Sequence, residues 1–125
     1  MDDRGSSLLA WQWTNYPAGH RDRRNLLVHA LTAPLFQVGT VSLAMSPFIG
    51  ARLAVLGVGA MASTVVLQLR THRLERKAPA PFRGPGDVVA RFLAEQWFTF
   101  PRYVATGAFA EAWRSSSPET GNAAR

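Results

Sequence analysis

The chain has 125 residues, which is the length of one small domain and too short for two independent cores. It contains no cysteine, which excludes disulfides, zinc–thiolate sites and iron–sulfur clusters. Its formal net charge of +6 is compatible with a nucleic-acid partner or an anionic membrane surface. The basic residues are dispersed over both ends of the chain, outside any helix-turn-helix, zinc or aromatic-sheet context, so we predict no nucleic-acid partner.

The N-terminal part of the chain is predicted to lie at a membrane–water interface. Residues 1–6 are expected to be frayed, and residues 7–15 to form a short helix. Trp11, Trp13 and Tyr16 supply aromatic side chains of the kind that concentrate at membrane interfaces. The sequence from Tyr16 to Gly19 contains proline and glycine and is expected to end this helix.

Two long segments without charged residues follow, at residues 26–51 and 53–69. A helix needs about 20 mostly apolar residues to span a bilayer, and both segments approach or exceed that length. Asn25 is predicted to cap the first helix, and the segment from Ser46 to Gly50 predicts a turn. We therefore predict an all-α integral membrane protein with an antiparallel two-helix hairpin at about residues 25–76. The alternative is a soluble bundle with unusually apolar core helices.

The distribution of basic residues predicts how this hairpin is oriented. Of the 14 Lys and Arg residues, only Arg52 lies between residues 26 and 69. Short segments rich in Lys and Arg stay in the cytoplasm, so we expect both termini to be cytoplasmic and the turn to face the other side. The chain starts with Asp2 and Asp3 rather than a basic segment, so we expect no cleavable signal peptide.

The C-terminal third is predicted to be interfacial rather than membrane-spanning. A connector rich in proline and glycine covers residues 78–86, and Asp87 is a good N-cap for the segment after it. Amphipathic helices are predicted within residues 87–113, with an interruption between Phe98 and Pro101. Residues 1–115 would thus form one helical membrane domain, and residues 116–125 a disordered polar tail.

All three histidines of the chain, His20, His29 and His72, flank the ends of the uncharged segments. Folding the hairpin brings them to one side, close to Asn25, where a metal site or a proton-transfer site can form. Glu75 follows His72 by three residues and would share its helix face. Each histidine alone is better explained as an ordinary polar interface residue, but their convergence favours a site. The spacing does not name a metal.

Glu95 is the second acidic candidate, because it lies within an aromatic segment at residues 92–102. Its burial would require a basic partner or a metal ion. Arg91 or Arg102 could supply that pairing or could receive a substrate carboxylate. The alternative is an amphipathic helix on the lipid surface, with Glu95 facing water.

The order of these polar residues resembles that of a known family. Tyr16, His20, Asn25 and His29 precede the hairpin, Pro34 lies within it, and His72, Glu75 and Pro79 follow it. This pattern is similar to that of the small membrane 2-hydroxy fatty acid dioxygenases typified by the fungal endoplasmic-reticulum enzyme of phytosphingosine breakdown. The resemblance covers roughly residues 11–80, and the Glu-Gln-aromatic-Phe-Pro segment at residues 95–101 resembles bacterial relatives more weakly.

The resemblance implies an enzyme that uses Fe(II) and O2 to shorten a long-chain 2-hydroxy fatty acid by one carbon. His20, His29 and His72 would be the iron ligands, with Glu75, Glu95 and Asn25 as further catalytic candidates. Arg24, Arg73 and Arg102 are candidates for pairing with the substrate carboxylate. A bacterial member would lie in the inner membrane, in contact with membrane lipid.

Two other interpretations stay open at this point. The chain could be a non-catalytic membrane hairpin that binds lipid or acts as a scaffold. Alternatively, His29 and His72 could ligate a haem. Stoichiometric iron without a porphyrin spectrum would separate the dioxygenase from the haem protein, and absence of any stoichiometric metal would favour the non-catalytic hairpin.

Overall fold

The structure, a computed structural model, describes residues 7–116, and all regular secondary structure in this part is helical. Two long apolar helices dominate it, as predicted. In chain order the elements are α1 (Leu8–Asn15), a 3-10 turn (Pro17–Gly19), α2 (Arg23–Ile49), α3 (Ala51–His72), α4 (Pro85–Ala94), a π-helical turn (Glu95–Thr99), α5 (Phe100–Ala105) and α6 (Ala108–Ser115). The predicted frayed start, at residues 1–6, and residues 117–125 of the predicted tail lie outside the described part.

Both ends of α2 differ from the prediction. Asp22, rather than Asn25, caps the helix, and its carboxylate accepts a hydrogen bond from the Arg24 backbone N–H at 2.8 Å. At the other end α2 continues through Pro47 to Ile49. The Ser46 hydroxyl donates to the Leu43 carbonyl at 2.7 Å and so satisfies an oxygen that proline cannot reach with an N–H. The connection to α3 is therefore the single residue Gly50, whose φ of 153° favours glycine.

The third helix is shorter than predicted, and α4 begins earlier. Helix α3 ends at His72, and turns cover the residues after it, so the expectation that His72 and Glu75 share a helix face is wrong. Helix α4 starts at Pro85, a residue favoured in the first helical turn, with Gly84 as its N-cap. Asp87 thus lies inside the first turn, where its carboxylate accepts a hydrogen bond from the Arg83 backbone N–H.

The predicted break at Phe98–Pro101 is instead a π-helical turn within a continuous helical segment. The Phe100 backbone N–H donates to the Glu95 carbonyl five residues earlier. The next bond of this register would need an N–H from Pro101, which has none. The Gln96 carbonyl accepts a hydrogen bond from the Gln37 side chain of α2 at 2.7 Å instead. This tertiary bond compensates for the proline and fixes the turn that carries Glu95.

Helices α2 and α3 pair through glycines and buried polar side chains. A Cβ atom built on Gly57 would lie 2.5 Å from the Gly39 carbonyl oxygen, so the two backbones are in direct contact there. Nearer the histidines, the Thr64 hydroxyl donates to the Thr32 carbonyl. The Gln68 side chain donates to the Thr32 hydroxyl. These bonds join the early part of α2 to the late part of α3 and fix their relative register.

We expect Gly57→Ala to destabilise this helix pair by about 1–3 kcal/mol, because the new methyl group meets backbone atoms that cannot rotate away. The matched control is Gly59→Ala, on the same helix, where an added Cβ meets no atom within 4 Å. The control should be neutral or slightly stabilising, since alanine is the better helix former. Thermal unfolding in detergent measures both. Equal melting temperatures for the two variants would contradict the close contact.

The remaining helices cover the end of the pair at which the histidines lie. A buried cluster joins Tyr16, Leu26 and Ala33 to Phe100 and Tyr103. Two polar contacts add to it: the Arg23 guanidinium donates to the Trp113 carbonyl at 2.6 Å, and the Gln12 amide donates to the Arg91 carbonyl. As a result, side chains from the α1–α2 connection and from the π-helical turn lie close together at the histidine end of the α2–α3 pair.

Candidate metal centre

Four side chains from four different segments converge in the interior: His20, His29, His72 and Glu95. His20 follows the 3-10 turn, and His29 lies two helical turns into α2. His72 is the last residue of α3, and Glu95 is the first residue of the π-helical turn. One potential ligand atom from each lies within 4.8 Å of all the others. The three imidazoles are nearly perpendicular to one another, with interplanar angles between 85° and 87°.

Backbone carbonyls fix the orientation of two of these rings. The Nδ1 atom of His20 is 2.7 Å from the Tyr16 carbonyl oxygen, and Nδ1 of His29 is 2.9 Å from the Asn25 carbonyl oxygen. A carbonyl oxygen only accepts, so both Nδ1 atoms carry the proton and donate it. In a neutral ring, Nε2 then has a free lone pair, which is the arrangement found in most metal-bound histidines.

The spacing of the inward-facing atoms matches that of ligands around one ion. The two Nε2 atoms of His20 and His29 are 3.3 Å apart. Glu95 Oε2 lies 3.5 Å from the first and 3.1 Å from the second. Ligands at roughly 2.1 Å from a common ion, at tetrahedral or octahedral angles, lie roughly 3.0–3.4 Å apart. Two lone pairs and a carboxylate this close repel one another unless a cation, either a metal ion or an added proton, lies among them.

Burial disfavours an added proton on His20. Burial lowers the pKa of His20, despite the opposing effect of Glu95, so the ring stays neutral. Burial alone raises the pKa of Glu95, whereas positive charge at the His20 and His29 side lowers it well below its ordinary value, so the ionised carboxylate needs a cation beside it. Burial and the neighbouring Glu95 raise the pKa of Tyr16, so its hydroxyl remains protonated. A neutral His20 and an ionised Glu95 are the protonation states in which these side chains bind metals.

Tyr16 holds two of these side chains in place. Its hydroxyl donates to Glu95 Oε2 at 2.8 Å, and its ring stacks on His20 with a centroid distance of 3.7 Å. From the sequence, Tyr16 is expected to be an aromatic residue of the membrane interface and part of the family pattern; in the structure it is buried. A supporting hydrogen bond of this kind orients a ligating carboxylate.

His72 completes the group on the side that adjoins a pocket. Among the described residues its buried Nδ1 atom has no hydrogen-bond partner, which is unusual for a buried polar atom and fits a ligand position. A pocket of about 120 Å³ is lined by His20, His72 and Glu95, together with Tyr16 and residues of α1 and the connector. His29 is fully buried and does not line the pocket. An ion held by the four side chains would be reached by small molecules from the pocket side.

Asn25 and Glu75 lie beside this group and do not belong to it. The Asn25 amide donates to the Gly19 carbonyl and to Glu75, and its oxygen accepts a hydrogen bond from the Thr71 hydroxyl at 2.7 Å. Glu75 Oε1 accepts hydrogen bonds from the backbone N–H groups of Arg21 and Asp22, both at 2.9 Å. Glu75 is thus an anion at the N-terminus of α2, where the helix dipole favours it. Together the two residues tie the segment that carries His20 to the end of α3.

We expect Glu75→Gln to lower stability by about 1–2 kcal/mol and to leave the metal content close to that of the unchanged protein. The glutamine keeps one acceptor oxygen but loses the charge that faces the start of α2. Thermal unfolding and metal analysis of the same sample measure the two effects. Loss of the metal with unchanged stability would identify Glu75 as a ligand.

The three arginines predicted to pair with a substrate carboxylate do not line the pocket. Arg24 forms an ion pair with Asp22 at 2.9 Å, and the Arg102 guanidinium lies 4.0 Å from the centroid of the Trp13 ring. Arg73 is exposed in the turn after α3. The basic residues that line the pocket are Lys77 and Arg91. Arg91 is one of the carboxylate partners that the sequence suggests, and Lys77 is not among them.

Haem ligation by His29 and His72 does not fit this geometry. The centroids of the two rings are 5.1 Å apart, and the rings are nearly perpendicular. His20 and Glu95 lie against the same pair, so they occupy the space that a porphyrin between the two rings would need.

No protein-family model, no curated protein and no solved structure matches the chain.

Proposed function

We propose that the protein is an Fe(II)-dependent dioxygenase that shortens long-chain 2-hydroxy fatty acids by one carbon at the cytoplasmic face of a membrane. The convergence of His20 Nε2, His29 Nε2 and a Glu95 oxygen beside His72 carries this proposal. Histidine with carboxylate is the donor set of non-haem iron enzymes, which keep positions open for O2 and substrate. The pocket on the His72 side supplies such access. The order of the polar residues, which resembles that of the dioxygenase family, is the second support.

The iron would supply the activation of O2, and the protein's own residues would hold the iron and position the acid. Tyr16 orients Glu95 through its hydroxyl, and the backbone carbonyls of Tyr16 and Asn25 orient two of the imidazoles. Buried Leu26 and Phe100 belong to the cluster that packs beside His29 and excludes water from that side. An acid that enters the pocket meets His20, His72 and Glu95 and is confined by α1 and the connector.

Membrane insertion as an antiparallel hairpin is part of the same proposal. The most apolar 18-residue stretches of α2 and α3 are only 33% and 17% buried within the protein, whereas core helices of a soluble protein are mostly buried. The outward-facing side chains include Leu31, Phe48, Val55 and Leu56, each at least 66% exposed. An exposed apolar surface that extends along both helices is expected to contact lipid rather than water. The metal ligands would then lie at headgroup depth, near the basic ends of the helices.

We expect reporter fusions after residue 125 and within the Pro47–Phe48 segment to report opposite sides of the membrane, with the termini in the cytoplasm. The reason is that, of the 14 Lys and Arg residues, only Arg52 lies between residues 26 and 69. Paired phosphatase and fluorescent-protein fusions measure the orientation. Reports from the same side, or a chain that stays in solution without detergent, would contradict the hairpin.

The proposal as a whole is tested by metal content and product analysis on detergent-purified protein. It predicts stoichiometric iron and a fatty acid product one carbon shorter than the substrate. A correctly inserted protein without stoichiometric metal would favour the non-catalytic lipid-binding or scaffold hairpin.

A further inference from the structure

The pocket beside the metal centre combines an apolar wall with a positively charged one. Trp11, Ala78, Pro79 and Ala80 contribute apolar surface, and Lys77 and Arg91 contribute the positive charge. Glu95 is the only acidic residue among the described residues that line it, and it faces the imidazoles. An anionic ligand with an apolar portion fits such a lining better than a neutral or cationic one.

The two basic residues, Arg91 and Lys77, differ in the contacts that their charged groups already make. The Arg91 guanidinium donates to the Ala80 and Pro81 carbonyls, at 2.8 and 3.2 Å, and lies 4.1 Å from the centroid of the Phe82 ring. It also approaches Asp87 at 3.8 Å. Arg91 therefore holds the connector against α4, and these contacts fix the position of its planar guanidinium group.

Lys77 is not engaged in this way. It forms no ion pair with any residue in the described part of the chain, and its side chain is exposed at the pocket. Glu75, two residues earlier, accepts hydrogen bonds from backbone N–H groups and so is occupied elsewhere. A flexible ammonium group beside metal-ligating residues is well placed to pair with an anion that enters the pocket.

We propose that Lys77 pairs with the carboxylate of an anionic amphiphile whose headgroup enters this pocket, and thereby selects acids over uncharged lipids. The inference rests on the proposed function, because it names the residue that would recognise the 2-hydroxy acid. It replaces Arg24, Arg73 and Arg102, none of which lines the pocket. Lys77 would determine which lipids bind, and it is not one of the four candidate metal ligands.

The experiment measures binding without turnover. Iron-loaded protein in nanodiscs of neutral phosphatidylcholine is titrated without O2 by calorimetry, with a long-chain 2-hydroxy acid and with the 1,2-diol of the same chain length. We expect Lys77→Gln to raise the Kd of the acid about two- to fivefold, as for loss of one exposed ion pair, and to leave the Kd of the diol unchanged. Lys77→Arg should bind the acid within about twofold of the unchanged protein.

Arg73→Gln is the matched control, because it removes one positive charge from the same turn region outside the pocket. Acid binding by this variant should be unchanged. Equal weakening by Arg73→Gln and Lys77→Gln would mean general attraction to a basic surface and would overturn the proposal. So would a Lys77→Gln protein that binds the acid normally, or an unchanged protein that does not bind the acid more tightly than the diol.

The outcome is separable from the proposed reaction. If the acid binds in a Lys77-dependent way but is not shortened when O2 is admitted, the reaction is wrong and the assignment of Lys77 stands. If the acid is shortened but Lys77→Gln leaves both Kd and KM unchanged, the reaction stands and the assignment of Lys77 is wrong.

Discussion

Replacing His29 by Ala is expected to lower metal affinity at least about 100-fold, so that the purified protein contains almost no iron. His29 is fully buried, and its Nε2 atom lies 3.3 Å from that of His20 and 3.1 Å from Glu95 Oε2. Alanine removes one of the converging ligand atoms. It also removes a polar partner of the buried Glu95 carboxylate, which makes burial of that charge less favourable. Metal analysis after purification in detergent measures the effect. His20→Ala and His72→Ala should show the same loss.

Two further variants separate loss of a ligand from loss of the fold. Glu95→Gln keeps the size of the side chain and an acceptor oxygen, and should also lose most of the iron because the charge is gone. Glu111→Gln is the matched control, since Glu111 is exposed, pairs with Arg114 and is not one of the four candidate ligands. Circular dichroism and membrane fractionation confirm that each variant is folded and inserted. Normal iron content in folded His29→Ala and Glu95→Gln proteins would rule out this site.

Iron-loaded protein supplied with O2 is expected to convert a long-chain 2-hydroxy acid to the acid one carbon shorter. Balance of atoms requires one CO2 and one water for each O2 consumed: the substrate loses four electrons and O2 gains four. The hydroxyl and carboxylate oxygens can chelate one ion together, so the unhydroxylated acid should react at least about tenfold more slowly, as expected for the loss of a metal-coordinating group. Mass spectrometry of the acids and measurement of O2 uptake test both statements.

The control for this reaction is the His29→Ala protein, which should consume neither acid nor O2 above background. Uptake of O2 without shortened product would indicate bound iron but a different substrate. If an inserted protein with full iron content neither shortens the acid nor consumes O2, the dioxygenase proposal is wrong, and lipid binding or a scaffold role replaces it.

The sequence predicted the two long apolar helices because their signal is local. Residues 26–51 and 53–69 lack charges, and composition alone identifies such segments. The convergence of the three histidines was also predictable, because a hairpin brings the two outer ends of its helices together. The boundaries were less accurate. Asp22 rather than Asn25 caps α2, because the Asn25 amide is used in a tertiary network with Thr71 and Glu75.

Two features of the site depend on tertiary contacts that no local pattern reveals. The sequence predicts that Glu75 shares a helix face with His72, whereas Glu75 accepts hydrogen bonds from backbone N–H groups just before α2. Glu95 faces the imidazoles because a π-helical turn begins at that residue, and the turn is supported by the bond from Gln37 to the Gln96 carbonyl. Pro101 was visible in the sequence, but it predicted a break and not a π-helical turn.

The most direct test of the metal centre is iron stoichiometry combined with X-ray absorption at the iron edge on the purified, membrane-inserted protein. We expect about one iron per chain, with imidazole scattering from three histidines and one oxygen-donor carboxylate at roughly 2.1 Å. The signature of imidazole should weaken in each histidine variant that still retains some iron. A protein that is folded and inserted, yet binds no stoichiometric metal after reconstitution with Fe(II), would contradict the proposed iron site.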